Sequence, residues 1–229
     1  MLLKRLRQPP RIRSVSRDEL REMILLTLAR AEENKQPVTP ATLAHELNTD
    51  IVLDLRSLID QSLVWTNPSV GLGLTETGRV KANALLRRHR LTERLFTDVL
   101  HLDWARAHEE ADKIEHALSP DAEQQLATTL GNPDTCPHGN PIPGARDDAV
   151  HGKIFPLTDS APPSQVTIAR IGSETPAALQ HLATLGLLPN VEIAIENKAP
   201  FDGPVLIRIR RAHYALGHNL AARIWVRAR

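Results

Sequence analysis

His108-Glu109-Glu110-Ala111-Asp112-Lys113-Ile114-Glu115-His116 is the stretch on which the reading of this chain turns. At about 100° per residue, His108, Asp112, Glu115 and His116 fall within roughly a 100° arc of a helix. Two imidazoles and two carboxylates on one stripe can converge on a divalent cation. His89 and Glu93 repeat the i, i+4 spacing one helix earlier. A helical, metal-ligating centre is the first expectation, and the flanking segments must show what it is attached to.

Toward the N-terminus, residues 1–15 read as a basic arm carrying Lys4, Arg5, Arg7, Arg11 and Arg13 without an acid. Ser16 and Glu19 form a capping box that opens a helix with Leu20, Met23, Ile24 and Leu28 on its apolar face. Thr39-Pro40 starts a short second helix, and a tight connection at 48–50 leads to a third over about 51–61. Residues 63–66 and 71–74 read as two short strands around Asn67-Pro68-Ser69. Three small helices and a hairpin predict a winged helix-turn-helix over 16–78. A long helix then runs over 77–100, Asp103 caps the next, and Ser119-Pro120 caps another.

Toward the C-terminus, residues 131–165 are rich in Gly, Pro and Asp and show no clear periodicity. The last 65 residues change character. Runs at 166–171, 191–196, 205–210 and 223–227 are β-like, with one amphipathic helix over 176–187 between them, as in a small barrel.

Composition narrows the class. Aromatic residues are 3% of the chain against 41% hydrophobic, so its cores must be aliphatic. The single cysteine, Cys136, excludes an internal disulfide and a Cys-rich zinc site. It reads as structural or incidental, and His138 as a surface residue in a turn. No apolar run reaches the roughly 20 residues of a membrane span, and Pro9-Pro10 interrupts any signal-peptide core. The expected location is the cytoplasm.

With these parts in order, the chain resembles the diphtheria toxin repressor family of iron- or manganese-dependent transcriptional regulators. The resemblance is carried by Arg88-His89-Arg90-Leu91-Thr92-Glu93-Arg94-Leu95, by 99–104, by 108–118 and by Thr135-Cys136-Pro137-His138-Gly139-Asn140-Pro141-Ile142-Pro143. It implies an α+β multidomain fold: a winged helix-turn-helix domain (16–78), an all-α metal-binding and dimerisation domain (79–144), a linker (145–164) and a C-terminal SH3-like small β-barrel (165–229). It further implies a cytoplasmic homodimer with two metal sites per protomer. The primary site would use Met23, Asp112, Glu115 and His116, and the ancillary site His89, Glu93 and His108. Glu174 and Gln180 are the nearest candidates for ligands from the barrel. Thr39 and Arg56 would contact DNA. An oxygen-rich donor set suits Fe2+ or Mn2+ better than a thiolate zinc site does.

An alternative stays open. The third helix holds Asp50, Asp54 and Asp60 against one Arg56, and the wing lacks Lys and Arg. Phosphates repel such a surface. A metal-responsive interaction domain that has lost DNA binding and is linked to a metal ABC transporter is therefore the second reading. A metallohydrolase is the third, but no general base or Gly-rich phosphate loop accompanies the ligands. The expectation is a chain that is not an enzyme and has no small-molecule substrate.

Overall fold

A computed structural model describes residues 15–145, 153–172 and 175–228. Most of the basic arm (1–14), with Arg11 and Arg13, lies outside the described residues, as does Glu174.

Helix α1 (Arg17–Glu33) begins at the expected capping box: Glu19 N donates to Ser16 Oγ at 3.1 Å and Ser16 N to Glu19 Oε2 at 3.0 Å. Its buried stripe of Leu20, Ile24, Leu25 and Leu28 packs with Leu43 of α2 (Pro40–Leu47) and with Leu55 and Leu58 of α3 (Val52–Asp60). The wing is an antiparallel hairpin of β1 (Val64–Asn67) and β2 (Gly71–Leu74), in register Val64 to Leu74.

Helix α4 (Glu76–Arg94) serves two parts of the molecule. Its first half closes the core of the winged helix-turn-helix, the reading head of the expected regulator, with Ala82, Leu85 and Leu86. Its second half carries His89, Arg90 and Glu93, all fully buried. The helix then passes into a π-helical turn (Leu95–Val99), so the predicted run over 77–100 is a helix with a wound-out end. Helix α5 (Trp104–Ile114) follows, capped by Asp103, and tightens into a 3-10 turn (Glu115–Ala117). That turn rotates Glu115 and His116 away from the ideal α-helical stripe. Helix α6 (Pro120–Thr129) packs on α4 through Ala127 and Leu91.

The C-terminal module is a six-stranded antiparallel sheet in the order β3-β8-β4-β5-β6-β7. Its strands are β3 (Ile154–Pro156), β4 (Ser164–Ile171), β5 (Glu192–Lys198), β6 (Val205–Ile209), β7 (Ala212–Leu216) and β8 (Ile224–Ala228). Helices α7 (Pro176–Leu185) and α8 (His218–Ala221) complete it. Ile168, Ile171, Leu179, Ile195, Ile207 and Val226 form its aliphatic core.

The linker expectation for 145–164 needs correction, because Ile154–Pro156 pairs with β8 at the sheet edge. Three residues ending in proline show no alternation, and an edge position is where a sheet tolerates proline. Strand β7, outside the predicted runs, pairs with β6 through Val205 and Leu216.

The barrel is bolted to the helices by buried polar contacts. Arg170 donates to Asn34 Oδ1 at 2.9 Å, Asn140 Oδ1 at 3.2 Å and Glu33 O at 2.8 Å, and lies 4.2 Å from the Trp225 ring centroid. Asn140 in turn donates to Ile171 O at 2.9 Å. The Gly-Asn-Pro segment therefore acts as the seam between helices α4 and α5 and the sheet.

Candidate metal centre

Spacing of i, i+4 on α4 puts His89 and Glu93 on one face, and α5 lays His108 against them. His89 Nε2 lies 3.0 Å from Glu93 Oε1 and 3.0 Å from His108 Nδ1. His108 Nδ1 is 2.8 Å from Glu93 Oε1. Three donor atoms thus face one another inside the protein. The second carboxylate oxygen, Glu93 Oε2, is buried without a hydrogen-bond partner. An orphaned carboxylate oxygen beside facing imidazole nitrogens is costly in a dry interior unless a proton or a cation sits among them.

The expected primary residues arrange differently. Asp112 and Glu115 converge on the far side of the same His89. Its Nδ1 hydrogen-bonds Glu115 and lies 3.3 Å from Asp112 Oδ1. Asp112 Oδ2 is also 3.7 Å from His108 Nε2. His116 turns to α1, where its Nδ1 is 2.5 Å from Glu22 Oε2, while its Nε2 is 3.5 Å from Glu115 Oε1. Met23 is half-buried. It lines one cleft of about 1040 Å³ with His108, Asp112, Glu115 and His116. Met23, Asp112, Glu115 and His116 are neighbours around one space and do not close into a ligand cage. Gln180 is exposed on α7.

Three residues went unassigned in the sequence reading. Glu22 precedes Met23 in the chain and makes the direct contact to His116. Cys136 and His138, read as incidental and as surface, are respectively 1% and 0% exposed. His138 Nδ1 is 3.2 Å from Glu93 Oε1 and 3.7 Å from Cys136 Sγ. The surface reading of His138 is thus corrected: the loop folds under β4, and Ile171 N donates to His138 O at 2.9 Å. The one available signal was a Cys-x-His pair of ligand-type residues in the Pro-Gly loop.

Electrostatics reflect this crowding. Burial works most strongly against a charged His89, but the Glu93 charge, the Glu115 charge and the hydrogen bond to Glu115 together outweigh burial and the nearby Arg30, and its pKa is pushed up to about 10. Glu93 is buried, which favours its neutral form, but the His138 and His89 charges and a hydrogen bond from His108 hold it well below the usual carboxylate range. His138 is raised against its burial, chiefly by Glu93. Burial and the adjacent Glu93 push the Cys136 thiol up. The network retains protons at positions where a divalent cation would supply the same positive charge.

In the reading head, Thr39 and Arg56 are exposed. Thr39 Oγ1 accepts from Thr42 N at 3.1 Å as the α2 cap. The acidic character of α3 is smaller than its sequence suggests. Asp54 is fully buried, paired with Arg17 and with Arg21 Nε at 3.3 Å. Asp50 accepts from Val52 N at 3.0 Å. The face left to solvent carries Val52, Leu53 and Arg56, with Asp60 at its end. Among the described residues no helix is long and apolar enough to cross a membrane.

A winged reading head joined through one helix to a buried His/Glu centre, and beyond it to a small β-barrel, defines a class of metal-responsive regulators. Comparison with known proteins agrees. Residues 75–144 match the model of the iron dependent repressor metal binding and dimerisation domain, and residues 155–228 match the FeoA domain. The iron-dependent repressor IdeR of Mycobacterium leprae is 31% identical over 208 residues, covering 77% of this chain and 90% of that protein. The diphtheria toxin repressor of Corynebacterium glutamicum is 36% identical over 213 residues, covering 87% and 92%. The crystal structure of T. acidophilum IdeR superposes with a TM-score of 0.79 at 29% identity, over 95% of this chain and all of that one. A manganese-dependent transcriptional repressor in complex with manganese gives 0.81 at 29% identity, over 91% and 100%. The chain belongs to the iron-dependent and diphtheria toxin repressor family, a family of transcriptional repressors and not of enzymes.

Proposed function

We propose that this chain is a metal-dependent transcriptional repressor, acting as a homodimer that Fe2+ or Mn2+ makes competent to bind DNA. The observation that carries the reading is the buried His89–Glu93–His108 triad, whose donor atoms face one another at 2.8–3.0 Å beside an unpartnered carboxylate oxygen. These residues form the ancillary site. Met23, Asp112, Glu115 and His116 form the primary site, with Glu22 as a further carboxylate on the α1 side. Oxygen and imidazole donors with one thioether suit Fe2+ or Mn2+.

A bound divalent ion would supply positive charge at a place where carboxylates and imidazoles from separate helices meet. The chain's own residues do the rest. Glu22 and Met23 ride on α1, and the other face of α1 carries the core of the reading head. Holding His116 and Glu115 against α1 therefore holds α2 and α3 in one orientation to the dimerisation helices. Binding that occurs only in that arrangement shifts the population toward it.

The domains follow as a reading head over 16–78, a metal and dimerisation unit over 79–144, and a barrel that begins near 154. Arg56 and Thr39 contact DNA. The pairing of Asp54 with Arg17 and Arg21 weakens the argument for an interaction domain repelled by DNA, and that reading ranks second. Fluorescence anisotropy with the chain's own upstream DNA tests the choice. Mn2+-dependent, sequence-selective binding across a salt series is expected. Binding indifferent to both metal and sequence contradicts it.

A further inference from the structure

The loop residues Cys136 and His138 have no part in the sites described above, yet they are buried against the residue at the centre of the ancillary triad. Cys136 Sγ, His138 Nδ1 and a Glu93 carboxylate oxygen all lie within 4.8 Å of one another. We propose that Glu93, Cys136 and His138 form a further divalent-cation site, thiolate-bearing and adjoining the ancillary triad, with Glu93 as the carboxylate the two share. The inference rests on the metal-binding reading of Glu93 and extends it to a different class of ion.

Geometry supports it. Around a tetrahedral ion with a metal–sulfur distance of about 2.3 Å and metal–nitrogen and metal–oxygen distances of about 2.05 Å, sulfur and nitrogen stand roughly 3.5 Å apart, and nitrogen and oxygen roughly 3.3 Å. The observed separations are 3.7 Å between Cys136 Sγ and His138 Nδ1 and 3.2 Å between His138 Nδ1 and Glu93 Oε1. The second ring nitrogen of His138 is engaged with a backbone carbonyl: Nε2 donates to Trp104 O at 3.3 Å. That is the outer contact that fixes a ligating imidazole, leaving Nδ1 turned toward the carboxylate and the sulfur. Glu93 Oε2, fully buried and without a hydrogen-bond partner, offers an unused donor at the same place.

The loop is also built to hold its shape. Cys136 N donates to Asn140 O at 2.8 Å, and Gly139 N to Cys136 O at 2.9 Å. Gly139 has φ +83°, and a Cβ there would come within 2.3 Å of Ala169 O in β4. Only glycine lets the loop press this closely on the sheet.

A thiolate, an imidazole and a carboxylate suit a borderline ion such as Zn2+, Co2+ or Fe2+, while Mn2+ prefers the oxygen-rich donors elsewhere. On binding, the Cys136 thiol and the Nδ1–H of His138 each give a proton to solvent, and the sulfur and nitrogen lone pairs go to the ion. No electron is transferred and no co-reactant is needed. The site would thus separate ions by softness within one cluster.

Cobalt(II) is the probe. Titration of the full chain with Co2+ is expected to give visible d–d bands together with a near-ultraviolet thiolate-to-cobalt charge-transfer band. Cys136→Ser should abolish the charge-transfer band, and His116→Ala should keep it. Co2+ uptake with d–d bands but no thiolate band overturns this inference and leaves the two-site reading standing. No Co2+ uptake overturns both. If Cys136→Ser fails to fold, X-ray absorption at the cobalt edge of the Met23→Leu chain decides. A sulfur scatterer at about 2.3 Å is expected there, and a shell of nitrogen and oxygen alone contradicts it.

Discussion

The two groups of metal-type residues differ in how finished they are. His89, Glu93 and His108 come from two helices packed on each other and are buried, with side-chain exposures of 0%, 0% and 5%. The group around Met23, Asp112, Glu115 and His116 must be drawn from α1 and from the end of α5, and the Asp112 side chain is 48% exposed. A site whose donors share one rigid helix pair is preformed. A site whose donors ride on separate parts of the chain is completed only when those parts take one arrangement. On the proposed reading, the first holds an ion without reporting on anything and the second acts as a switch.

This contrast can be broken in several places. The largest effect is expected at Glu93, which faces His89, His108 and His138 at once. Glu93→Ala leaves buried imidazoles without their counter-charge. Urea unfolding of the metal-free protein should show a loss on the order of 3–5 kcal/mol. A loss below about 1 kcal/mol would mean that the triad is not the charged, tightly packed unit described.

Next is the switch itself. At a Mn2+ concentration about a hundredfold above Kd, linkage adds about 2.7 kcal/mol of stability, a rise in Tm of roughly 5–10 °C for a chain of this size. His116→Ala should remove the part of the metal-induced rise that the primary site supplies and leave the part supplied by the ancillary ion. An unchanged metal-induced shift in the variant would exclude His116 from the ligand set.

The pH dependence follows from His89. Its pKa in the fold is raised to about 10 from an ordinary value of 6.5. Its protonated form therefore stabilises the metal-free fold fully below pH 6.5, and that contribution fades as pH climbs through about 10. A cation must displace this proton, so affinity should move the other way. Kd for Mn2+ is expected to fall about tenfold per pH unit between pH 6.5 and 9 for each proton released. Calorimetry in buffers of different ionisation enthalpy measures the proton count. A Kd flat across this range would contradict the protonated network.

The smallest effect is expected at Arg56. Arg56→Ala should reduce DNA affinity by about 1 kcal/mol and lower the slope of log K against log salt by about 1, if the guanidinium meets a phosphate. Unchanged binding would move the interface away from the exposed face of α3.

Much of this was readable in the sequence because it rests on local rules. The Ser16 capping box, the Thr39-Pro40 start and the i, i+4 pairs on α4 and α5 depend on neighbours within one turn. So spacing paired His89 with Glu93 and His108 with Asp112, while only the family resemblance placed His108 with His89 and Glu93. Long-range packing was less readable. Cys136 and His138 lie in a loop without periodicity, and only the docking of that loop under β4 buries them beside Glu93. The 3-10 turn after Ile114 was invisible too, because periodicity assumes a uniform helix. That turn sends His116 to Glu22 on α1 instead of along the stripe with His108. Strand β3 was missed because three residues at a sheet edge carry no alternation to detect. The apparent acidity of α3 misled for a related reason, since a charge count does not reveal that Arg17 and Arg21 of another helix cover Asp54.

Mn2+ stoichiometry by equilibrium dialysis tests most directly whether a preformed site and a switch site exist side by side. Mn2+ avoids thiolate and so leaves Cys136 aside. The intact chain is predicted to bind about two ions, with one lost in His116→Ala and the other lost in His108→Ala. A single ion in the intact chain, or both ions lost together in either variant, would contradict the division of these residues into two separate sites.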